Sequence, residues 1–215
     1  MPAADTYVTE LDAKNQPQIQ RVIDALTASI AKESFEVVDV LRLVIKSTIE
    51  AAEVAALWVS DCESLEMKLS LAEQCGDGAR QCRQLTARLA ELGVPTYDPR
   101  EGGYSKLFAF LRSLGTAEER SAAGYVTAKA LSLARLQAVT TFMNAKGDAE
   151  TARLLTEGLV TQERRWYEEG KRLLAEAGIN EESQARGRRS AYRTLELATE
   201  MVEPLALRKL LAKRR

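Results

Sequence analysis

The sequence predicts an all-α fold in which two long helices, a long connection and two more long helices bundle around one core, with extra helices at either end. Three observations carry this. Ala, Leu, Glu and Arg are abundant and only 5 of 215 residues are proline, a balance that leans towards helix. Apolar residues recur at i, i+3 and i+4 through long runs. Short joints carrying capping residues, glycine or proline separate those runs. A chain of this length fits one domain, or one domain with a short appendage. The expected division is 1–33 as an N-terminal segment with a short helix, 34–177 as the bundle, and 178–215 as a basic helical extension.

The first run, "NQPQIQRVIDALTASIAKE", opens with Pro17, which a first helical turn tolerates, so a short leading helix is expected to begin there. Ser34 is the expected N-cap of the next helix, roughly 35–60. That run, "FEVVDVLRLVIKSTIEAAEVAALWVS", is apolar on nearly every side, which places it centrally. "DCES" is the joint to a helix of roughly 65–92. "LGVPTYDPREGGY", with two prolines and adjacent glycines, is a loop, and "SKLFAFLRSL" a short helix after it. "TAEE", Thr116 to Glu119, is a capping box that starts a helix over 117–145. "AKGD" closes it, and Asp148 caps a fourth long helix to about residue 177. "EAGINEES" ends that one, and a last helical segment is interrupted at Pro204.

Composition excludes several function classes. The formal net charge is −1, but residues 184–215 carry 9 Lys or Arg against 3 Glu, leaving the rest of the chain at −7. An acidic body offers nucleic acid no footprint. No apolar stretch reaches the ~20 residues needed to span a membrane, and the start of the chain shows no secretory signal. Three cysteines without CxxC spacing suit reduced thiols and a cytoplasmic location. Histidine is absent, which rules out a histidine base, histidine-ligated haem and the usual histidine-containing metal sites.

Within "LAEQCGDGARQCRQL", Leu71, Gln74, Gly78, Gln81 and Leu85 share one helical face. A glycine inside a helix costs about 1 kcal/mol relative to alanine. Packing alone would favour alanine or leucine at position 78, so Gly78 suggests that this face borders something other than filled core. The pattern resembles the ferritin-like superfamily of di-iron carboxylate proteins over residues 34–177, nearest its tRNA-hydroxylase-like and rubrerythrin-like bacterial branches. That resemblance implies a Glu on the first core helix and Glu-x-x-His on the second, repeated on the third and fourth, since i and i+3 share a face. Here the second-helix motif reads Asp77, Gly78, Ala79, Arg80, Gln81. On the fourth helix, "TQERRWYEEG" puts Glu163 at the carboxylate position, Trp166 where histidine belongs, and Gly170 at the family's small residue. Glu50 matches the first-helix ligand, with Glu53 competing for that role. The third helix has no carboxylate between Glu119 and Asp148, and Thr127 falls near the vacant slot. Two carboxylates remain and both histidines are gone, so the expectation is a dismantled di-iron site, with no metal and no cofactor.

Removing a metal leaves Glu50 and Glu163 facing a low-dielectric interior, which is costly unless they are paired. Lys46, one turn before Glu50, is a candidate replacement cation, although both residues can equally lie at the surface. Ala123, Gly124, Ala130, Ala134 and Ala138 form a small-residue stripe around Thr127. Opposite Gly78 this stripe allows a central pocket lined by Tyr125, Trp166 and Tyr167 with Gln74, Gln81, Glu50 and Glu163. The competing explanation is close helix packing with Trp166 plugging the gap.

A pocket would take an apolar small molecule and work by acid–base chemistry, because burial favours the neutral form of a carboxyl and lets it pass a proton near neutrality. Glu163 is the main catalytic candidate, with Glu50 and Lys46 beside it. Isomerisation, cyclisation or dehydration in biosynthesis are the reactions that such a site suits. The alternatives are a non-catalytic scaffold, as a homodimer or beside a ferritin-like partner subunit, and a residual single-metal oxygenase on Glu50 and Glu163. Cys75 and Cys82 share a helix face but have no activating histidine, so they read as structural.

Overall fold

The first helix, α1 (Pro2–Lys32), carries Pro17 in its interior instead of at its start. Proline removes one backbone donor. The helix continues through it because Tyr7, Val8 and Leu11 on one side, and Ile19, Val22, Leu26 and Ile30 on the other, are all buried in the core. Tertiary burial outweighs the local penalty. The structure, a computed structural model, describes residues 2–94, 98, 103–203 and 206–208. Most of the expected loop in "LGVPTYDPREGGY", and the interruption at Pro204, lie outside those residues.

Ser34 does not open the second helix. It closes the first, at φ 52°. The Phe35 N–H donates to the Ile30 carbonyl at 3.2 Å and the Ser34 N–H to the Ala31 carbonyl at 3.2 Å, which is a Schellman motif with Ser34 in the left-handed position. The cap of α2 (Val37–Ser60) is Glu36, in a reciprocal box with Asp39. Ser64 then caps α3 (Leu65–Glu91) and Ser105 caps the short α4 (Lys106–Arg112). Thr116 and Glu119 form the expected capping box at the head of α5, residues 117–145. Asp148 accepts from the Thr151 N–H at the head of α6, residues 149–177. Asn180 caps α7 (Glu181–Met201).

Two of these helices contain π-helical stretches, Arg120–Thr127 in α5 and Leu155–Val160 in α6. Just past the first, the Ala128 N–H reaches back five residues to the Ala123 carbonyl. Each residue in such a stretch advances less far around the axis than in an α-helix.

The described residues contain no strand, and the fold is all-α. Helices α2 and α3 pack closely as one hairpin, α5 and α6 as another. Helices α1 and α7 pack on the second hairpin, and α4, carried by the long connection, bridges α2 and α7. The apolar core falls into two clusters, one including Ile45, Leu85, Leu136 and Leu159, the other Val54, Trp58, Leu71, Phe108 and Trp166. Between them lies a layer of buried polar side chains: Glu50 on α2, Gln74, Asp77 and Gln81 on α3, Lys129 on α5 and Glu163 on α6.

Asp148 ties the second hairpin to α3. Its Oδ1 accepts from the Thr151 N–H at 3.0 Å and Arg88 Nη2 at 2.8 Å, and its Oδ2 from the Thr151 hydroxyl at 2.6 Å. Burial works against the charge, but the hydrogen bonds from Thr151 and Arg88 outweigh it and hold this carboxyl below its ordinary value. A depressed folded-state pKa contributes stability above the unfolded value of about 3.9 and loses it as pH falls through the folded one. Asp148→Ala is expected to cost about 1–2 kcal/mol in urea unfolding at pH 7. The gap to the wild type should narrow below about pH 4, and a gap unchanged at pH 3 would refute this account.

Candidate functional site

The polar layer surrounds a cavity of about 120 Å³ between the two hairpins. All four long helices contribute walls: Glu50, Val54 and Trp58 at helical spacing on α2, Gln74, Gly78 and Gln81 on α3, Gly124, Lys129, Ser132 and Arg135 on α5, and Glu163 and Trp166 on α6. Ser105 and Phe108, at the start of α4, close one side.

The carboxylates of this layer do not stand alone. Glu50 accepts from the Ser105 N–H at 2.9 Å and the Ser105 hydroxyl at 2.5 Å, with Lys46 Nζ 3.6 Å away. Lys46, itself buried, also donates to the Gly103 carbonyl at 2.5 Å. On the opposite wall Lys129 Nζ donates to Glu163 Oε1 at 3.0 Å. Asp77 pairs with Arg80 and accepts from the Trp166 indole N–H at 3.1 Å. Gln81 donates to Gln162. Buried ions of this kind persist when each charge has a partner and its remaining lone pairs are bonded.

Three buried atoms on residues that wall the cavity break that pattern. Glu163 Oε2, Trp58 Nε1 and Arg135 Nε are buried without a hydrogen-bond partner among the described residues. Burial pushes the Arg135 guanidinium down from its ordinary value, against the pull of the Glu163 and Glu50 charges.

Of the residues singled out in the sequence, Glu50, Gln74, Gly78, Gln81, Glu163 and Trp166 wall the cavity, and Lys46 sits behind Glu50. Glu50, not Glu53, is the carboxylate that faces it. Tyr125, Thr127 and Tyr167 lie elsewhere. Tyr125 bonds Ser70 at 3.1 Å. Thr127 accepts from Asn15 of α1 at 2.9 Å and donates to the Ala122 carbonyl at 2.7 Å. Tyr167 carries Lys171 Nζ 4.1 Å over its ring, and burial together with the neighbouring Asp12 of α1 pushes its phenol up. For the two residues on α5 the reason is the π-helical stretch, in which an α-helical count misplaces the face.

Gly78, too, has a different cause from the one expected. A Cβ there would meet the Ala52 Cβ at 2.7 Å, so close approach of α3 to α2 accounts for the glycine by itself. The cavity rests on its other walls. Cys82 lies outside the cavity lining, and burial, with the Glu53 charge adding to it, pushes its thiol up to about 11, far from a reactive thiolate. Lys129, Arg135, Trp58 and Ser105 were not apparent from the sequence. A search for basic residues on the third helix, which lacks acidic ones, would have found the first two.

Among the described residues no group of three or more His, Cys, Asp or Glu is placed to hold a metal ion. No helix there is long and apolar enough to cross a membrane. No family model, curated protein or solved structure matches the chain.

Proposed function

We propose that this chain is a ferritin-like bundle that binds a small molecule between its two hairpins and acts on it by acid–base chemistry without a redox metal. The observation that carries the reading is Glu163, whose Oε1 is fixed by Lys129 while its buried Oε2 has no partner at the wall of a central cavity. A carboxylate held by one oxygen and open at the other suits proton transfer to a ligand. The ferritin-like part draws support from two helical hairpins joined by a long connection. The positions matching the family's ligand sites on three helices (Glu50, Gly78, Gln81, Glu163 and Trp166) also meet at one cavity. Lys46 and Lys129 then hold the positive charge that metal holds elsewhere in that superfamily. Isomerisation, cyclisation or dehydration of a largely apolar substrate is the chemistry such a site suits, with Glu163 passing the proton and Glu50 and Lys46 holding the opposite wall.

A second reading, a non-catalytic subunit in a homodimer or beside a ferritin-like partner, is favoured by the exposure of Leu57, Leu65 and Leu69 around the α2–α3 joint. Apolar surface of this kind marks interaction sites.

Native mass spectrometry with metal analysis, on protein purified without chelator, separates these readings. The expected result is a chain free of stoichiometric iron or manganese that carries a small-molecule adduct, with the adduct weakened in Glu163→Gln. A bound metal pair would restore oxygenase chemistry and overturn the proposal. An empty homodimer would favour the scaffold.

A further inference from the structure

We propose that the central cavity takes a small organic carboxylate, its anionic head held by Arg135. This rests on the pocket reading above and names the ligand class.

Matching charges around the cavity leads to it. Each carboxylate of the polar layer has its own cation: Glu50 has Lys46 at 3.6 Å, Glu163 has Lys129 at 3.0 Å, and Asp77 has Arg80. Arg135 is the cation left over. It walls the cavity, yet among the described residues it makes no hydrogen bond or ion pair, and its Nε is buried. The Glu163 and Glu50 charges pull on it, but each is already paired with a lysine, so an anion bonded to the guanidinium completes the set.

The unpartnered atoms define that anion further. Arg135 Nε and Trp58 Nε1 are donors without acceptors, and Glu163 Oε2 is an acceptor without a donor. A carboxylate on the two donors, with a hydroxyl elsewhere on the molecule reaching Glu163, satisfies all three. The guanidinium fork matches a carboxylate in shape as well as charge. One surplus cation balances a monoanion and leaves a dianionic phosphate half compensated.

The space has a matching character. About 120 Å³ holds a single ring or a short chain. Arg135, Glu50 and Ser105 also border an adjoining apolar recess of about 70 Å³, walled by Val40, Val44 and Val139, where a carbon body can lie.

The test uses the full chain and calorimetric titration with benzoate, 4-hydroxybenzoate, benzamide, benzyl alcohol and inorganic phosphate. The carboxylates are expected to bind at least about tenfold more tightly than benzamide, as a charge-assisted contact implies. The hydroxyl of 4-hydroxybenzoate should add affinity that Glu163→Gln reduces. Arg135→Gln should lose the preference for carboxylate while keeping weak binding of benzyl alcohol, and without ligand it should melt above the wild type. Benzamide or benzyl alcohol binding as tightly as benzoate would overturn the anion inference and leave the pocket standing. Phosphate binding as tightly as benzoate would overturn the carboxylate. If no probe, neutral or charged, binds the wild type, the pocket reading itself falls. The benzoate–benzamide comparison needs no variant, so the test survives an Arg135→Gln chain that does not fold.

Discussion

Lys129→Met is expected to cost about 3–5 kcal/mol in urea unfolding at pH 7, because it leaves Glu163 buried without its cation. The two side chains are only 6% and 12% exposed, and their contact is 3.0 Å. Solvent therefore cannot take over as it would for a surface pair, whose usual worth is below about 1 kcal/mol. The signature lies in the rescue. Adding Glu163→Leu to Lys129→Met removes the stranded charge and should recover most of the loss, since a buried pair replaced by apolar groups of similar volume is often neutral or better. A single variant that loses less than about 1 kcal/mol, or a double variant no more stable than the single, would mean that water solvates this pair.

Gly170→Val should be the most damaging single substitution outside the polar layer, at about 3 kcal/mol or more. A Cβ at position 170 would overlap the Tyr125 Cβ and meet the Tyr125 backbone carbon at 3.1 Å and its Cα at 3.2 Å. Backbone cannot swing aside like the end of a flexible side chain, so α6 would have to move away from α5. Tyr125→Ala should fail to rescue the variant, because the clashing Cβ and main chain remain in alanine. Thermal unfolding followed by circular dichroism reads both chains. A Gly170→Val protein melting within a few degrees of the wild type would show that the two helices separate at little cost.

The sequence was most informative where helix geometry is regular. Thr116, Glu119 and Asp148 announce their helices because a capping side chain and its amide lie three residues apart, and the structure forms those bonds. The same regularity brings Glu50, Gln74, Gln81, Glu163 and Trp166 to one cavity, since these lie in α-helical stretches where i, i+3 and i+4 share a face. Local preference misleads where long-range packing overrides it. Pro17 marks no boundary because the core buries both halves of α1. Ser34 looks like a cap for α2 but closes α1 instead, a difference set by one backbone angle. On α5 an α-helical count through the π-helical stretch selects Tyr125 and Thr127, while the polar residues that reach the cavity from beyond that stretch are Lys129, Ser132 and Arg135. The charges on that helix were overlooked for a chemical reason: the resemblance called for acids there, and the interior holds bases.

Both π-helical stretches lie upstream of the residues that meet across the cavity, with Lys129 and Arg135 following one and Glu163 following the other. An α-helix turns by about 100° per residue. Deleting a single residue from Arg120–Thr127 would thus re-aim every side chain after it, including Arg135 about 12 Å further along the axis. Replacing the same residue, by contrast, leaves the phase alone. These helices therefore encode the meeting of Lys129 and Glu163 partly in how many residues they contain, a property to which a scan of substitutions is blind and a scan of deletions is not.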